Sequence, residues 1–415
     1  MQNKAKILFL SYNGLLEPIL PSQAVPYLEK LVAKGFGFML FTYEKKRDLE
    51  RVGKGKIEIL KGELRSKGID WRYLPYHKRP PLLSTLFDLA AGAAAVSRLV
   101  RKEKVDIIHV RGITPGIIVL MLSRLLKVKV LFDMRGLLAE EYVGGGLWKE
   151  DSLAFRAVKM AERNMLLRAD AITVLTQKHL EFNRTLDYLK DRDVPMDVIP
   201  CCVDMDRFGY NRDNDTTRSE LGIDGSFVIM YPGKIGTFYL MKEMLEFYKV
   251  LTAHLPKAVF LILTNDDTAA VLEKARAIGI DERGIKIVRG IRFEEMPRYM
   301  AVADAGIFFI NPYKKIGSSP IKMGEFLASG VPVVINPGVG DTEELVRNNN
   351  IGVVVEGFEE RDYKDAALRL MAMKGEGETL KRRCRDAAMR CLSLSEGADK
   401  YEKIYGILSR SEGKA

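Results

Sequence analysis

Short apolar runs recur at residues 6–12, 38–42, 70–74, 105–110, 129–132, 171–175 and 198–199, and again at 227–231, 258–264, 285–288, 307–310, 331–335 and 352–355. They are too short for buried helices and read as strands, most of them covered on both faces. The segments between them, such as 25–33, 84–103, 115–126 and 152–168, read as helices; that at 25–33 is amphipathic. A chain that alternates in this way closes as parallel sheets with helices on both faces. The expected fold class is α/β, with two Rossmann-like, doubly wound parallel-sheet domains and a helical C-terminus.

Two domains are also what 415 residues suggest, since one core ordinarily serves fewer. Residues 200–225 break the alternation with Asp204, Asp206, Asp213, Asn214 and Asp215, a polar connection that marks the boundary. The expected division is 1–200, 201–390 and a last helix at 391–415 that crosses back to the first domain. Residues 44–68 read as an exposed, charged helical excursion, and Gly144-Gly145-Gly146 as a moving loop. The loop with His77, Lys78 and Arg79 reads either as an acceptor-facing segment or as a plain linker.

The charge is uneven. Residues 1–200 hold 34 Lys and Arg against 23 Asp and Glu, and the second half is near neutral. That suggests an anionic partner for the first half, either lipid headgroups or nucleic acid, against a merely solvated basic surface. No zinc-finger, RNP-like or helix-turn-helix pattern supports nucleic acid, which is set aside. The apolar stretches 86–100 and 117–126 are interrupted by Asp88, Arg98 and Arg124, so neither is expected to span a bilayer. The four cysteines show no metal spacing and suit a reducing, cytoplasmic setting. No metal and no cofactor is expected. Asp191/Asp193 and Asp204/Asp206 have the spacing of metal sites but sit in polar connections, where Asp favours turns.

One stretch concentrates the chemistry. Residues 305–335 read as strand, loop, helix, turn and strand, with Ser319 as N-cap and Pro320 at the first helical position. Lys322 then falls in the first turn, where a cation opposes the helix dipole unless an anion sits there, on the N–H groups of residues 318–321. Glu325 follows one turn later on the same side. Two readings are open: a surface ion pair, or a cation for phosphate beside a carboxylate for a ribose diol. Gly233-Lys234-Ile235-Gly236-Thr237, after the first strand of the second domain, is a glycine turn in which backbone can approach phosphate and Lys234 can reach it. In the first domain, Gly14 brings backbone close to whatever lies above the sheet. His109 reads as a buried histidine bonded to backbone, with Arg111 on the same face and Arg135 ending the next strand. The two arginines need an anion, or else a network with Asp133, Glu140 and Glu141.

These motifs together resemble the retaining glycosyltransferases of family 4, the group 1 glycosyl transferases of GT-B fold. Val198-Ile-Pro-Cys-Cys-Val-Asp-Met-Asp-Arg-Phe208 resembles the family's Ile-Pro-Asn-Gly-Val-Asp-x-x-x-Phe signature. Arg298-Tyr-Met-Ala-Val-Ala-Asp304 resembles its Tyr-x-x-Ala-Asp, and Pro320-Ile-Lys-Met-Gly-Glu-Phe-Leu-Ala-Ser-Gly-Val-Pro-Val-Val334 its donor signature. The likeness implies two facing Rossmann-like domains, the first for the acceptor and the second for a nucleotide-sugar donor. It implies that Glu325 binds the ribose, that Lys234 replaces a phosphate-binding arginine, and that backbone at Gly290 and Ile291 meets the base. Gly317 stands where the family has its first glutamate, which leaves Ser318 and Ser319 for the donor sugar. The family's second phosphate-binding lysine has no match, and Lys322 is the candidate substitute. Arg111 and Arg135 stand where many members have histidine.

The expected activity is metal-independent, retaining transfer of a sugar from a nucleotide-sugar to a hydroxyl of a glycan or lipid-linked acceptor. Lys234, Lys322, Arg111 and Arg135 are the expected catalytic residues. Gly233, Gly290, Ile291, Gly317, Ser318, Ser319, Pro320, Ile321 and Glu325 are expected to bind donor, with Gly14 and His109 on the acceptor side. The protein is expected in the cytoplasm, with peripheral membrane contact through its basic first domain. The alternatives are a nucleotide-sugar epimerase of the same fold, or a silent nucleotide-sugar-binding protein.

Overall fold

The structure, a computed structural model, describes residues 4–17, 19–209 and 215–410. Asp213 and Asn214 of the polar connection lie outside the described residues. The chain divides into two compact units, residues 1–200 with 394–415, and residues 201–393.

The first unit holds β1 (Lys6–Ser11), β2 (Gly37–Lys45), β3 (Ile69–Tyr76), β4 (Ile107–Arg111), β5 (Lys129–Met134), β6 (Ala171–Val174) and β7 (Met196–Val198). They form one sheet of order β3-β2-β1-β4-β5-β6-β7, parallel throughout. The second unit holds β8 (Phe227–Pro232), β9 (Ala258–Leu263), β10 (Ile285–Val288), β11 (Ala305–Phe308), β12 (Val333–Ile335) and β13 (Gly352–Val354). Their order is β10-β9-β8-β11-β12-β13, again parallel. Both sheets reverse direction of winding once, between β1 and β4 and between β8 and β11. In such sheets ligands bind beyond the carboxyl ends of the strands at that reversal. Arg111 ends β4 and the Gly233 turn follows β8, so these two motifs sit where the topology opens, whereas His109 lies in the middle of β4.

Most strands match the apolar runs because they are buried along their length, while β3, β7 and β10 at the sheet edges are only partly buried. The helices move more at their ends: Pro81–Glu103 begins before the predicted 84, and Ile113–Leu122 replaces 115–126. The excursion at 44–68 is the end of β2 followed by helices Lys46–Val52 and Lys54–Ser66. The triple glycine is not a free loop. It ends the Leu138–Gly144 helix, with Gly145 N–H donating to Glu141 O at 2.9 Å and Leu147 N–H to Tyr142 O at 2.9 Å. The Trp148 ring then packs tilted against Tyr142, with ring centroids 4.5 Å apart.

The Pro81–Glu103 helix carries the apolar stretch at 86–100. Within Leu83–Glu103 an 18-residue window reaches a mean hydropathy of 1.4, enough by length and composition alone for a membrane span. One side of it, however, is core of the first unit: Leu89, Ala93, Val96 and Val100 are buried there.

The last helix, Leu394–Arg410, belongs to the first unit. It packs against the Val25–Ala33 helix and β4 through Tyr401, Ile404, Tyr405 and Leu408, all buried. Lys34 joins Asp399 at 2.6 Å and Glu402 at 2.7 Å, part-exposed pairs of small value beside that apolar contact.

Candidate active site

In the second unit the chain leaves β8 through Gly233, whose φ of +143° suits glycine. Gly233 N–H donates to Leu263 O at 2.9 Å, and the Tyr231 hydroxyl donates to Lys234 O. Asp266 holds the far side of the turn by accepting Ile235 N–H at 2.7 Å. The turn then pairs with the end of β11, Leu240 N–H to Phe309 O at 2.9 Å and Asn311 N–H to Phe238 O at 2.8 Å. This fixes Tyr231 and Tyr239 edge to face, 5.5 Å apart.

Lys322 reaches into that frame. It lies in the Ile321–Ala328 helix, 6% exposed, with its Nζ 3.7 Å from the Tyr239 ring centroid and 4.5 Å from that of Tyr231. A β-carbon on Gly233 would come within 2.9 Å of Nζ. Among the described residues the ammonium has no hydrogen-bond acceptor. Burial pushes it down to about 7, against the pull of Glu325. Glu325 keeps part of its surface, yet burial pushes its carboxyl up to about 7, against Lys322 and Arg207. The rings attract the cation but cannot replace its hydration, so the site holds a charge that an incoming anion would complete.

The helix start differs from the predicted cap. Pro320 itself occupies the N-cap position, and no side chain caps the helix. The Ser319 hydroxyl instead accepts Cys201 N–H at 3.1 Å, so it anchors the segment before the second unit's first helix. Ser318 N–H is taken by Lys315 O at 3.1 Å, and proline has no N–H to give. Among the described residues, the amides left at this terminus are those of Ser319, Ile321 and Lys322. Gly324 lets Val203 approach, 3.3 Å from where its β-carbon would be, and Arg385 ties Ala328 O to Phe208 O and Met205 O. The helix is thus clamped at both ends. Gly317 is buried in the preceding loop. Lys234 is exposed on the glycine turn. Gly290 has φ +72° and its N–H donates to Asn265 Oδ1 at 2.7 Å, so that amide is engaged, while Ile291 packs on the core.

Tyr231, Tyr239 and Arg207 carry parts that the motifs left unassigned. Arg207 lies over the Phe293 ring, 3.2 Å from its centroid, and donates to Phe293 O. Its only sequence signal is its place in the Val198–Phe208 signature. Tyr239 gives a better one, since it stands near where the family's second lysine is expected and it carries Lys322 instead.

The first unit gathers its motif residues around Asp133. Arg135 Nη1 is 3.5 Å and Arg111 Nη1 3.9 Å from its carboxylate, His109 Nε2 is 3.5 Å away, and Thr173 donates to it at 3.1 Å. Burial would push Asp133 up, but Arg135, His109 and Arg111 outweigh it and hold it well below the usual carboxylate range. Arg111 also donates to Gln23 Oε1 at 3.0 Å. The internal network weighed in the sequence is therefore present, built on Asp133. Glu140 pairs with Lys159 at 2.8 Å instead. His109 is 1% exposed and bonds Tyr405 Oη at 2.6 Å rather than backbone, so it is a core residue under the last helix. Gly14 is also turned inward. A β-carbon there would meet Glu44 Oε2 at 2.4 Å, because the buried Glu44 carboxylate accepts Leu15 N–H at 2.7 Å and Leu16 N–H at 3.1 Å. His77 is held by Asp88 at 2.6 Å, so its loop is fastened to the helix that follows.

Comparison with known proteins places the fold. Residues 24–202 match the model described as glycosyl transferase 4-like domain, and residues 227–373 the model of glycosyl transferases group 1. Among solved structures, the chain is similar to a sucrose-phosphate synthase from Thermosynechococcus elongatus, with TM-score 0.71 and 17% identity over 98% of this chain and 100% of that one. A glycosyltransferase from Rickettsia africae gives TM-score 0.72 and 16% identity over 98% and 99%. HepE from Anabaena, solved with UDP and glucose, gives 0.69 and 13% over 97% and 99%. No curated protein matches by sequence. At such identities the structural likeness speaks for the fold, two doubly wound parallel-sheet domains.

Proposed function

This chain belongs to the group 1 glycosyltransferases with a glycosyl transferase 4-like first domain, and from that premise we propose that it moves a sugar from a nucleotide-sugar donor to an acceptor hydroxyl. The observation that carries the donor assignment is the Lys322 ammonium, buried at a helix N-terminus, lodged against Gly233 and without an acceptor among the described residues. A diphosphate supplies the missing acceptors. It would meet Lys322 and the amides of Ser319, Ile321 and Lys322, with Lys234 reaching it from the exposed turn. Charge that builds on the leaving diphosphate is stabilised by these fixed groups, which need no reorganisation as the glycosidic bond breaks.

Glu325, one turn along the helix, is the proposed ribose ligand, accepting from both hydroxyls. The reaction is proposed to retain configuration and to need no metal, since lysines and helix dipole supply the positive charge. Arg111 and Arg135 are proposed as positioning groups for acceptor or donor sugar, kept in place by Asp133. The acceptor is proposed to be a glycan or a lipid-linked glycan, and the enzyme to work in the cytoplasm at the membrane. HepE was solved with UDP and glucose, so uridine diphosphate sugars are the first donors to test.

A melting-temperature screen with UDP, GDP, ADP and dTDP tests the donor site, because a ligand that binds the folded state raises its stability by mass action. At least one diphosphate should raise the midpoint, and its sugar conjugate should yield free diphosphate when an acceptor is present. An epimerised sugar formed without acceptor would replace transfer by epimerisation. Absence of any shift would refute the pocket.

A further inference from the structure

The Pro81–Glu103 helix turns one stripe outward. Leu83, Leu86 and Phe87 are 66%, 54% and 61% exposed, and Ala90 and Ala94 continue the same face at helical spacing. Arg98 and Arg101, also exposed, follow on that face. The stripe is thus apolar for about 17 Å at 1.5 Å per residue, then basic. The helix's acidic residues are withdrawn from it. Asp88 is 1% exposed and bound to His77, and Glu103 is paired with Lys6 at 2.8 Å.

The opposite end of the stripe is basic too, and its geometry is fixed. Asp88 accepts His77 N–H at 2.9 Å and meets Nδ1 at 2.6 Å, while the His77 ring stands edge-on to Phe87 at 5.3 Å. This clamp ties the segment that carries exposed Lys78 and Arg79 to the end of the helix that carries exposed Leu83 and Phe87. A face with an apolar centre, cations at both ends and no carboxylate has a definite complement: an apolar layer under a negatively charged surface. We propose that this face docks on a bilayer of anionic lipids. Leu83, Leu86 and Phe87 enter the headgroup boundary, and Lys78, Arg79, Arg98 and Arg101 lie over lipid phosphates. The helix does not span, because its other side is core of the first unit. The surface deepens the proposed work on a lipid-linked acceptor, yet it stands on first-unit residues alone.

The test is sedimentation of the full chain with vesicles of phosphatidylcholine, with and without phosphatidylglycerol. The chain should bind the mixed vesicles about tenfold more tightly, and salt should weaken that binding. Leu83→Ser with Phe87→Ser should lower binding about tenfold. Lys78→Ser with Arg79→Ser should remove most of the preference for phosphatidylglycerol. All four side chains are exposed, so melting temperature and nucleotide affinity should match the parent, which separates failure here from failure of the donor assignment. Equal sedimentation with and without vesicles would overturn the proposal. So would a concentration-dependent dimer in light scattering that Leu83→Ser with Phe87→Ser dissolves, since the face would then belong to a second copy.

Discussion

The Lys322 ammonium rests 3.7 Å from the centre of the Tyr239 ring, and among the described residues nothing accepts its hydrogens. A desolvated cation on an aromatic face recovers about 2 kcal/mol, less than the several kcal/mol that burial removes. Burying the Lys322 ammonium therefore carries a standing cost. Lys322→Met should stabilise the ligand-free protein by about 1–3 kcal/mol, read as a higher melting temperature. The same change should weaken binding of the preferred nucleoside diphosphate by roughly 10- to 100-fold, the value of a charge-assisted hydrogen bond. A lower melting temperature with unchanged affinity would make Lys322 a packing residue.

Donor affinity should depend on pH with a maximum near 7. The free Lys322 ammonium is pushed down to about 7, and a bound diphosphate holds it charged. Binding above that pH takes up a proton, so affinity falls as pH rises. Glu325, pushed up to about 7, must lose its proton to accept from both ribose hydroxyls, so affinity also falls as pH drops. Calorimetry across pH should show both limbs. Lys322→Met should remove the alkaline limb, and Glu325→Gln the acid one. A flat profile in the parent protein rejects the pairing of these two residues with donor.

Gly233→Ala introduces a β-carbon 2.9 Å from Lys322 Nζ at a φ of +143°. The strain of such a backbone region is about 1–3 kcal/mol, and the ammonium must shift as well. Chemical denaturation should show that loss, and diphosphate affinity should drop with it. An alanine variant with parental affinity would mean that Lys322 is not positioned by this turn.

Asp133→Asn should destabilise the first unit by about 3–5 kcal/mol, because it leaves Arg111 and Arg135 without their buried carboxylate. The Asp133 carboxyl is held below its unfolded value, so its stabilisation is present above about pH 4 and is lost as pH falls through the folded value. Urea midpoints measured from pH 7 downward should fall less steeply in the variant than in the parent. Equal acid sensitivity would show that another group governs it.

The central strands of both sheets were legible because a strand buried on both faces has almost no option but a continuous apolar run. The Gly233 turn, Lys322 and Glu325 were legible because glycine and an awkward charge stand out against helix and strand preferences. What stayed hidden depends on contacts between distant segments. Ser319 looks like a cap, but its hydroxyl serves Cys201 across 118 residues of chain. His109 follows a strand like any core histidine, and only the fold brings Tyr405 to it from 296 residues away. Tyr239 is one aromatic among many until Lys322 is seen lying on it. Gly14 looked like a ligand-facing turn, whereas buried Glu44 occupies the space its side chain would need.

The helix Leu394–Arg410 completes the first unit from the far end of the chain. During synthesis the ribosome releases residues 1–200 long before the segment that covers Phe36, Phe38 and His109. The second unit is one uninterrupted segment and can close as it emerges. The first must wait, with an apolar face uncovered, until residues 394–410 have left the exit tunnel. A chain halted shortly before residue 394 would thus carry a finished half and an unfinished one, and the unfinished half is the one made first.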